Sequence, residues 1–431
     1  MPSKVPVYTG RYATPYHIFY LLLWAVFACS LNSPAVLAAE SPLTLSDAMS
    51  RAMAQNPLLK VFDLRLDGLQ GRRVTADLNP ALEAGAEIEN FLGTGDVRGL
   101  AGAELTLTLS STLELGGQRQ ARVSAIDSRL GLIEAERRAE TLDLLGQVTQ
   151  RFVATLALQE KLQLADDAVS LAESTLDIVT RRADQGATPQ AEVLRARASL
   201  TQSRIEQSRL QSELDSKKMA LALLWGDNSV EFSHLQGDLF EFGSSDSFES
   251  LFERVSDSPA IHVYASEQRV REAEIQLARS QSESEIDWQV GIRRMEEIDE
   301  IAFTAGFSVP LFRVERNRGE VQAALAARDE IRFQRETTLL NLHSRLFDAY
   351  QQRQQSIAAV EQIRSEVIPN LNEALTQTRD AYESGRYSYL EWIGAQREML
   401  AAQRALVDAA STALLNQALI EQLTAQPLAG R

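Results

Sequence analysis

Four segments of about ten residues break an otherwise helix-forming chain with strict two-residue alternation. In 81–91, Leu82, Ala84, Ala86 and Ile88 alternate with Glu83, Gly85, Glu87 and Glu89. In 100–111, Leu105, Leu107 and Leu109 alternate with Glu104, Thr106, Thr108 and Ser110. In 283–294, Ile286, Trp288, Val290 and Ile292 alternate with Glu285, Asp287, Gln289 and Arg293. In 301–310, Ile301, Phe303, Ala305, Phe307 and Val309 alternate with Ala302, Thr304, Gly306 and Ser308. This period predicts strands with one apolar and one polar face. A half-buried soluble sheet gives the same alternation, but it needs a cover for the apolar face, and no helix of matching length is free to supply one. Lipid on one side and a water-filled lumen on the other satisfy both faces, and ten residues is the length of a membrane-spanning β-strand.

Four strands cannot close. An open edge in hydrocarbon leaves backbone N–H and C=O groups unpaired at several kcal/mol each. The chain must therefore pool its strands with other copies. Two chains would give about 8 strands, whose interior side chains fill, and three would give about 12, which leaves a channel, so the count favours three.

The rest of the chain is rich in Ala, Leu, Gln, Glu and Arg and follows a plan used twice, with a period of about 200 residues. "RADQGATPQAEVLRARASL" (182–200) resembles "AYESGRYSYLEWIGAQREML" (381–400), with Gly186 answering Gly385. "AQNPLLKV" (54–61) answers "SDSPAIHV" (256–263), and "LELGGQRQARVSA" (113–125) answers "LFRVERNRGEVQA" (311–323). Each copy reads helix, strand, strand, long helix, break, helix. The first helix is expected over 45–77. The long helix over 118–183 is roughly 100 Å long at 1.5 Å per residue. Leu158, Leu162, Ala165, Val169, Ala172, Leu176, Val179 and Ala183 form a 4-3 seam suited to a neighbouring helix. Gly186 ends this helix, Thr188 is expected to cap the next, which reaches about Trp225, and Pro189 fits its first position. The second copy is expected to carry helices near 316–382 and 388–424. The adjacent Gly116 and Gly117 mark a strand-to-helix corner, since no Lys-Ser/Thr follows to make a phosphate loop.

At the N-terminus, Lys4 and Arg11 precede the apolar "IFYLLLWAVFAC" and the small residues of "AVLAAE". This is a secretory signal peptide with cleavage expected after Ala38. Cys29 raises a lipoprotein alternative that Phe27 disfavours. It is also the chain's one cysteine, so the mature chain is expected to hold neither a disulfide nor a thiolate site. The expected organisation is 1–38 signal peptide, 39–225 first repeat, 226–250 a linking and equatorial segment, 251–424 second repeat and 425–431 a tail. Net charge is −16 and grows more negative without the basic leader, which argues against nucleic acid as a partner. His234, His262 and His343 are scattered, so no enzyme constellation, metal site or cofactor is expected.

With the signal peptide, the duplicated halves and the Gly-centred breaks, the chain from about Leu43 to Leu423 resembles the TolC-type outer membrane efflux channels. "LSSTLELGGQRQARV" and "FSVPLFRVERNRGEVQAA" resemble the branch serving cobalt–zinc–cadmium type heavy-metal efflux pumps. The resemblance implies a mixed α/β membrane protein: a homotrimer with a 12-stranded outer-membrane β-barrel, four strands per chain, continued by a long α-helical coiled-coil barrel through the periplasm. It also implies a periplasmic adaptor (membrane fusion) protein, an inner-membrane pump of the resistance–nodulation–division type and outer membrane lipid as partners. It carries Gln185, Gly186, Ala187 and Thr188, and Ser384, Gly385, Arg386, Tyr387 and Ser388, to the adaptor-contact tip. Glu192 and Glu391 fall at the pore constriction, where Tyr382 helps to hold the tip closed. A further acidic position of the family is Gly394 here. Glu391 also completes a capping box with Ser388, and Glu192 sits in a first helical turn where the helix dipole favours any acid. Both residues therefore also have purely local explanations. Glu83, Glu87, Glu89, Glu104, Glu285 and Asp287 are expected to face the lumen, where a negative interior concentrates cations. Passive conduction of metal cations from adaptor and pump to the exterior is the expected function. A multidrug or type I protein-export channel is an alternative, and a soluble periplasmic coiled-coil scaffold or adaptor is one of a different class.

Overall fold

A computed structural model describes residues 42–95, 98–243 and 246–426. The signal peptide, Cys29 and all but the start of the tail lie outside them. The first half runs β1 (Leu43–Thr44), α1 (Leu45–Gln55), α2 (Pro57–Ala76), β2 (Glu83–Glu89), β3 (Glu104–Glu114), α3 (Gln118–Asp184) and α4 (Gln190–Ala222). After β4 (Leu235–Gln236), the second half runs α5 (Phe248–Ser256), α6 (Pro259–Ser280), β5 (Glu285–Met295), β6 (Glu300–Ser308), α7 (Arg313–Gln362), a π turn (Ile363–Val367), α8 (Ile368–Glu383) and α9 (Tyr389–Thr424).

The helix expected over 45–77 is two helices, and the reason is Pro57. Proline cannot donate the next helical hydrogen bond and holds the preceding residue extended. Asn56 accordingly takes φ −58°, ψ 123° and caps α2 by accepting from the Leu58 N–H at 2.8 Å. Ser258–Pro259 makes the corresponding break between α5 and α6. The helix expected over 316–382 is interrupted by the π turn, directly before Pro369. The wider turn accommodates a ring that can neither donate to the Ser365 carbonyl nor pack beneath it. α3, in contrast, is one helix of 67 residues, about 100 Å long. It packs against α2, α4, α6 and α9. Its seam residues Leu158, Ala165, Ala172 and Val179 are buried, while Leu162, Val169, Leu176 and Ala183 are half-buried.

The segment after Trp225 is less irregular than its Gly, Ser and Asp content suggests. Leu235–Gln236 pairs in parallel with Leu43–Thr44, and Phe232, Leu235 and Leu239 enter the main core beside Phe152, Leu156 and Trp225. This ties the chain's start and middle to α3 and α9 at mid-height.

The four long strands form one antiparallel sheet in the order β2-β3-β5-β6. Its register places Ala86, Leu107, Ile292 and Phe303 in one row of one face, and Gly85, Thr108, Gly291 and Thr304 in the adjacent row of the other. Among the described residues no helix covers the apolar face: Phe303 is 86% and Phe307 81% exposed, and Ile88, Leu107, Val290 and Ile292 are exposed beside them. β2 and β6 are open edges. At the corner into α3, Gly117 takes φ +68°, and the matching corner into α7 puts Phe312 at φ +60°. A side chain seldom adopts this conformation, so only the first corner could be read from glycine.

The candidate channel face and the paired turns at the helical tip

Two constellations hold the site residues expected from the sequence, one on the sheet and one at the far end of the helices. On the sheet, Glu83, Glu87, Glu89, Glu104, Glu285 and Asp287 share the polar face. They are not equally free. Arg293 pairs with Glu89 at 3.1 Å and with Glu104 at 2.9 Å. Arg313 pairs with Glu285 at 3.0 Å, and the Thr112 hydroxyl donates to Asp287 at 2.6 Å. Among the described residues, Glu83 and Glu87 have no basic side chain within ion-pair distance. The lower part of this face, lined by Glu83, Thr112, Asp287 and Gln289, is an open cleft of about 440 Å³. Long-range strand register decided these pairings, so composition alone overstated the number of free carboxylates.

At the tip, α3–α4 and α8–α9 turn in the same way. Gly186 (φ +71°) donates to the Ala183 carbonyl and Ala187 to the Arg182 carbonyl, both at 2.9 Å. Gly385 (φ +76°) donates to Tyr382 at 2.9 Å and Arg386 to Ala381 at 2.8 Å. Each is a Schellman motif, which needs a left-handed residue after the helix and so favours glycine. Gln185, Gly186, Ala187, Ser384, Gly385, Arg386, Tyr387 and Ser388 are exposed, and Thr188 is half-buried.

The next residues differ. Ser388 caps α9: its N–H and hydroxyl donate to the Glu391 carboxylate at 2.7 and 2.9 Å, and the Glu391 N–H returns a bond to the Ser388 hydroxyl. These bonds hold the exposed Glu391 carboxyl below the usual carboxylate range. In the first turn the corresponding position is Pro189, which has no N–H and no capping side chain. Thr188 therefore does not cap α4, as the sequence had suggested; its hydroxyl donates to Glu192 instead. The same Glu192 oxygen accepts from the Tyr382 hydroxyl at 3.2 Å, joining the two hairpins.

Tyr382 is 2% exposed and lies in a cluster with Val179, Val193, Ala196, Tyr389, Trp392 and Ile393. It stacks on Trp392 with ring centres 4.9 Å apart, and the Arg182 guanidinium sits 4.9 Å from its ring centre. Burial pushes the Tyr382 and Tyr389 hydroxyls up, so both remain protonated donors at neutral pH. Arg182 also donates to the Glu383 carbonyl across the hairpins. Trp392 and Arg182 are components of this clasp that motif reasoning missed. Their helical spacing from Tyr389 and Val179 was the available signal. Gly394, at the family's further acidic position, is half-buried on α9.

His234, His262 and His343 stay apart. His343 lies edge-on to Phe252 and Phe248, His262 faces Asp257, and His234 bonds Ser233. Among the described residues no group of three His, Cys, Asp or Glu side chains could hold a metal ion, and no helix is long and apolar enough to cross a membrane.

A bare apolar sheet face is thus joined to paired helical hairpins, in two halves of like element order. The sequence profile of the Outer membrane efflux protein family matches residues 48–227 and 254–426. The chain belongs to that family. It is an outer membrane efflux channel, which conducts and does not catalyse. It is 26% identical over 365 residues to the cobalt-zinc-cadmium resistance protein CzcC of Cupriavidus metallidurans, covering 85% of this chain and 86% of CzcC. It is 22% identical to the nickel-cobalt-cadmium resistance protein NccC of Alcaligenes xylosoxydans xylosoxydans, over 67% of this chain and 65% of NccC. The fold matches a crystal structure of CusC with a TM-score of 0.74 at 19% identity, over 88% of this chain and 92% of that one.

Proposed function

We propose that three copies of the chain close a 12-stranded barrel in the outer membrane, with β6 of each copy pairing to β2 of the next. The observation that carries this reading is the coincidence of an uncovered apolar sheet face with two open sheet edges. In water that face would collapse or aggregate, whereas in lipid it is solvated, and closure satisfies every edge group. The polar face then lines the lumen, with Glu83, Glu87 and Glu300 among its free charges and Glu89, Glu104, Glu285 and Asp287 as tied ones. The long helices continue the wall through the periplasm. The two turns, Gln185–Thr188 and Ser384–Ser388, dock on a periplasmic adaptor that joins the channel to an inner-membrane pump of the resistance–nodulation–division type. Glu391 and Glu192 line the narrow end, and the Tyr382–Glu192 bond holds it closed until the partners bind.

The cargo is heavy-metal cations, supported by the names of CzcC and NccC and by the surplus of carboxylates on the polar face. Weak, hydrated, dispersed sites let such ions leave, whereas a tight ligand set would trap them. The expected particle in detergent has the mass of three chains, and its conductance in planar bilayers is expected to rise when Tyr382→Phe removes the bond to Glu192. A folded single chain released from membranes by salt alone overturns the barrel. A deletion strain is expected to lose tolerance to cobalt, zinc or cadmium. Unchanged metal tolerance with lost detergent tolerance overturns the cargo assignment but not the channel.

A further inference from the structure

Register sorts the polar-face side chains into transverse rows. The row nearest the β2–β3 connection holds Glu89, Glu104, Met295 and Glu300, and the row two residues below holds Glu87, Thr106, Arg293 and Ala302. Glu89 and Glu104 are directly opposed on neighbouring strands, an arrangement of like charges that disfavours pairing unless something neutralises it. Arg293, on β5, does so. It is the one Lys or Arg among the polar-face positions of the four strands. All three of its guanidinium nitrogens are engaged: Nη2 with Glu89 at 3.1 Å, Nη1 with Glu104 at 2.9 Å, and Nε donating to the Thr106 hydroxyl at 3.0 Å. Thr106 is 3% exposed beneath it, and Asn90 approaches the remaining Glu104 oxygen at 3.4 Å.

We propose that Arg293 is a built-in counter-ion that keeps the outer end of the lumen from binding divalent cations, and so sets how readily they leave. The argument rests on the barrel proposed above. Two opposed carboxylates in a confined lumen offer the charged oxygen donors that a divalent cation takes. A planar guanidinium that bridges both, with its third nitrogen fixed by Thr106, fills that place permanently. A cation arriving from the periplasmic side meets a wall with charge but without a free pair of ligands.

The experiment is single-channel recording of the full-length protein in planar bilayers, in a KCl gradient, with zinc added to the exit side. Relative to the native channel, R293Q is expected to be half-blocked at a zinc concentration about tenfold lower or less, and its reversal potential to move toward that of potassium. Adding E89Q and E104Q to R293Q is expected to restore the native zinc response. R293Q with native block and native reversal potential overturns the proposal. If R293Q does not insert, E89Q/E104Q with Arg293 retained must move the reversal potential toward chloride, and no movement overturns the proposal equally. Should the native tip stay shut, the same comparison is made in a Tyr382→Phe background, which removes the hydroxyl that bonds Glu192. A full-length protein that runs as a single chain in detergent refutes the barrel itself, so the two failures are distinct.

Discussion

The turn at Gly186 and the turn at Gly385 have the same backbone, and yet their glutamates do different things. Both close through the same pair of Schellman bonds, and both place a glutamate six residues past the glycine. The difference is one residue: Ser388 where the first turn has Pro189. A serine at the cap offers a hydroxyl and an N–H, so Glu391 folds back onto its own helix. A proline offers neither, so Glu192 is left to bond the Tyr382 hydroxyl of the other hairpin. The left-handed glycine common to both turns fixed the bend, and a single cap residue decided whether the acid serves its own helix or a neighbouring one. Glu391 is exposed and Glu192 half-buried as a direct result.

Removing the cluster shared by the two turns is the most disruptive change. Trp392→Ala deletes the ring stacked on Tyr382 and is expected to cost about 3–5 kcal/mol of local stability. Amide exchange should rise in α8 and at the tip ends of α3 and α9, but not in the main core; unchanged protection at the tip would show that the cluster does not join the hairpins. The equivalence of the bends is tested by Gly186→Val and Gly385→Val. Each forces a branched side chain into the left-handed region and is expected to cost about 1–2 kcal/mol. Markedly unequal losses in thermal unfolding would break the comparison. Ser388→Ala removes a side-chain cap and should cost about 1 kcal/mol at the start of α9. Pro189→Ser should build the missing capping box, draw Glu192 from Tyr382 and make the first turn behave like the second, visible as loss of the tyrosine contact by NMR. The smallest effect is on pH. Because the folded Glu391 carboxyl is held below its ordinary value of 4.5, its contribution is complete above that value and is lost as pH falls through the lowered one. Exchange of the Glu391 and Trp392 amides should quicken in that acidic window, and Glu391→Gln should abolish the pH response.

The legible and illegible parts of the molecule divide by range. Alternation of Leu105, Leu107 and Leu109 with Thr106 and Thr108 is local, so the strands and their two faces could be read directly. Gly186 and Gly385 announced their turns because left-handed backbone selects glycine. The Pro57 and Pro259 breaks were also local and present in the quoted repeat, but the strong apolar pattern on either side masked them. Pro369 was masked in the same way by the helix-forming residues around it. Phe312 gave no signal, since a bulky residue at positive φ is held there by its surroundings and not by its own preference. At the site, the capping box was visible as Ser388…Glu391. The Glu192–Tyr382 bond spans 190 residues and the Arg293–Glu89 pair about 200, and such separations are set by packing and register.

The π turn at Ile363–Val367 gives the two long helices of the chain different mechanics. α3 is an uninterrupted strut of 67 residues. Its counterpart is jointed where Pro369 deletes a rung, and beyond that joint α8 runs along α9 and meets α3 and α4 only near its end, through Tyr382 and Glu383. When load is applied to the tip, a stiff rod and a hinged rod in parallel share it unequally, and the deflection concentrates at the hinge. The second hairpin is therefore the compliant one.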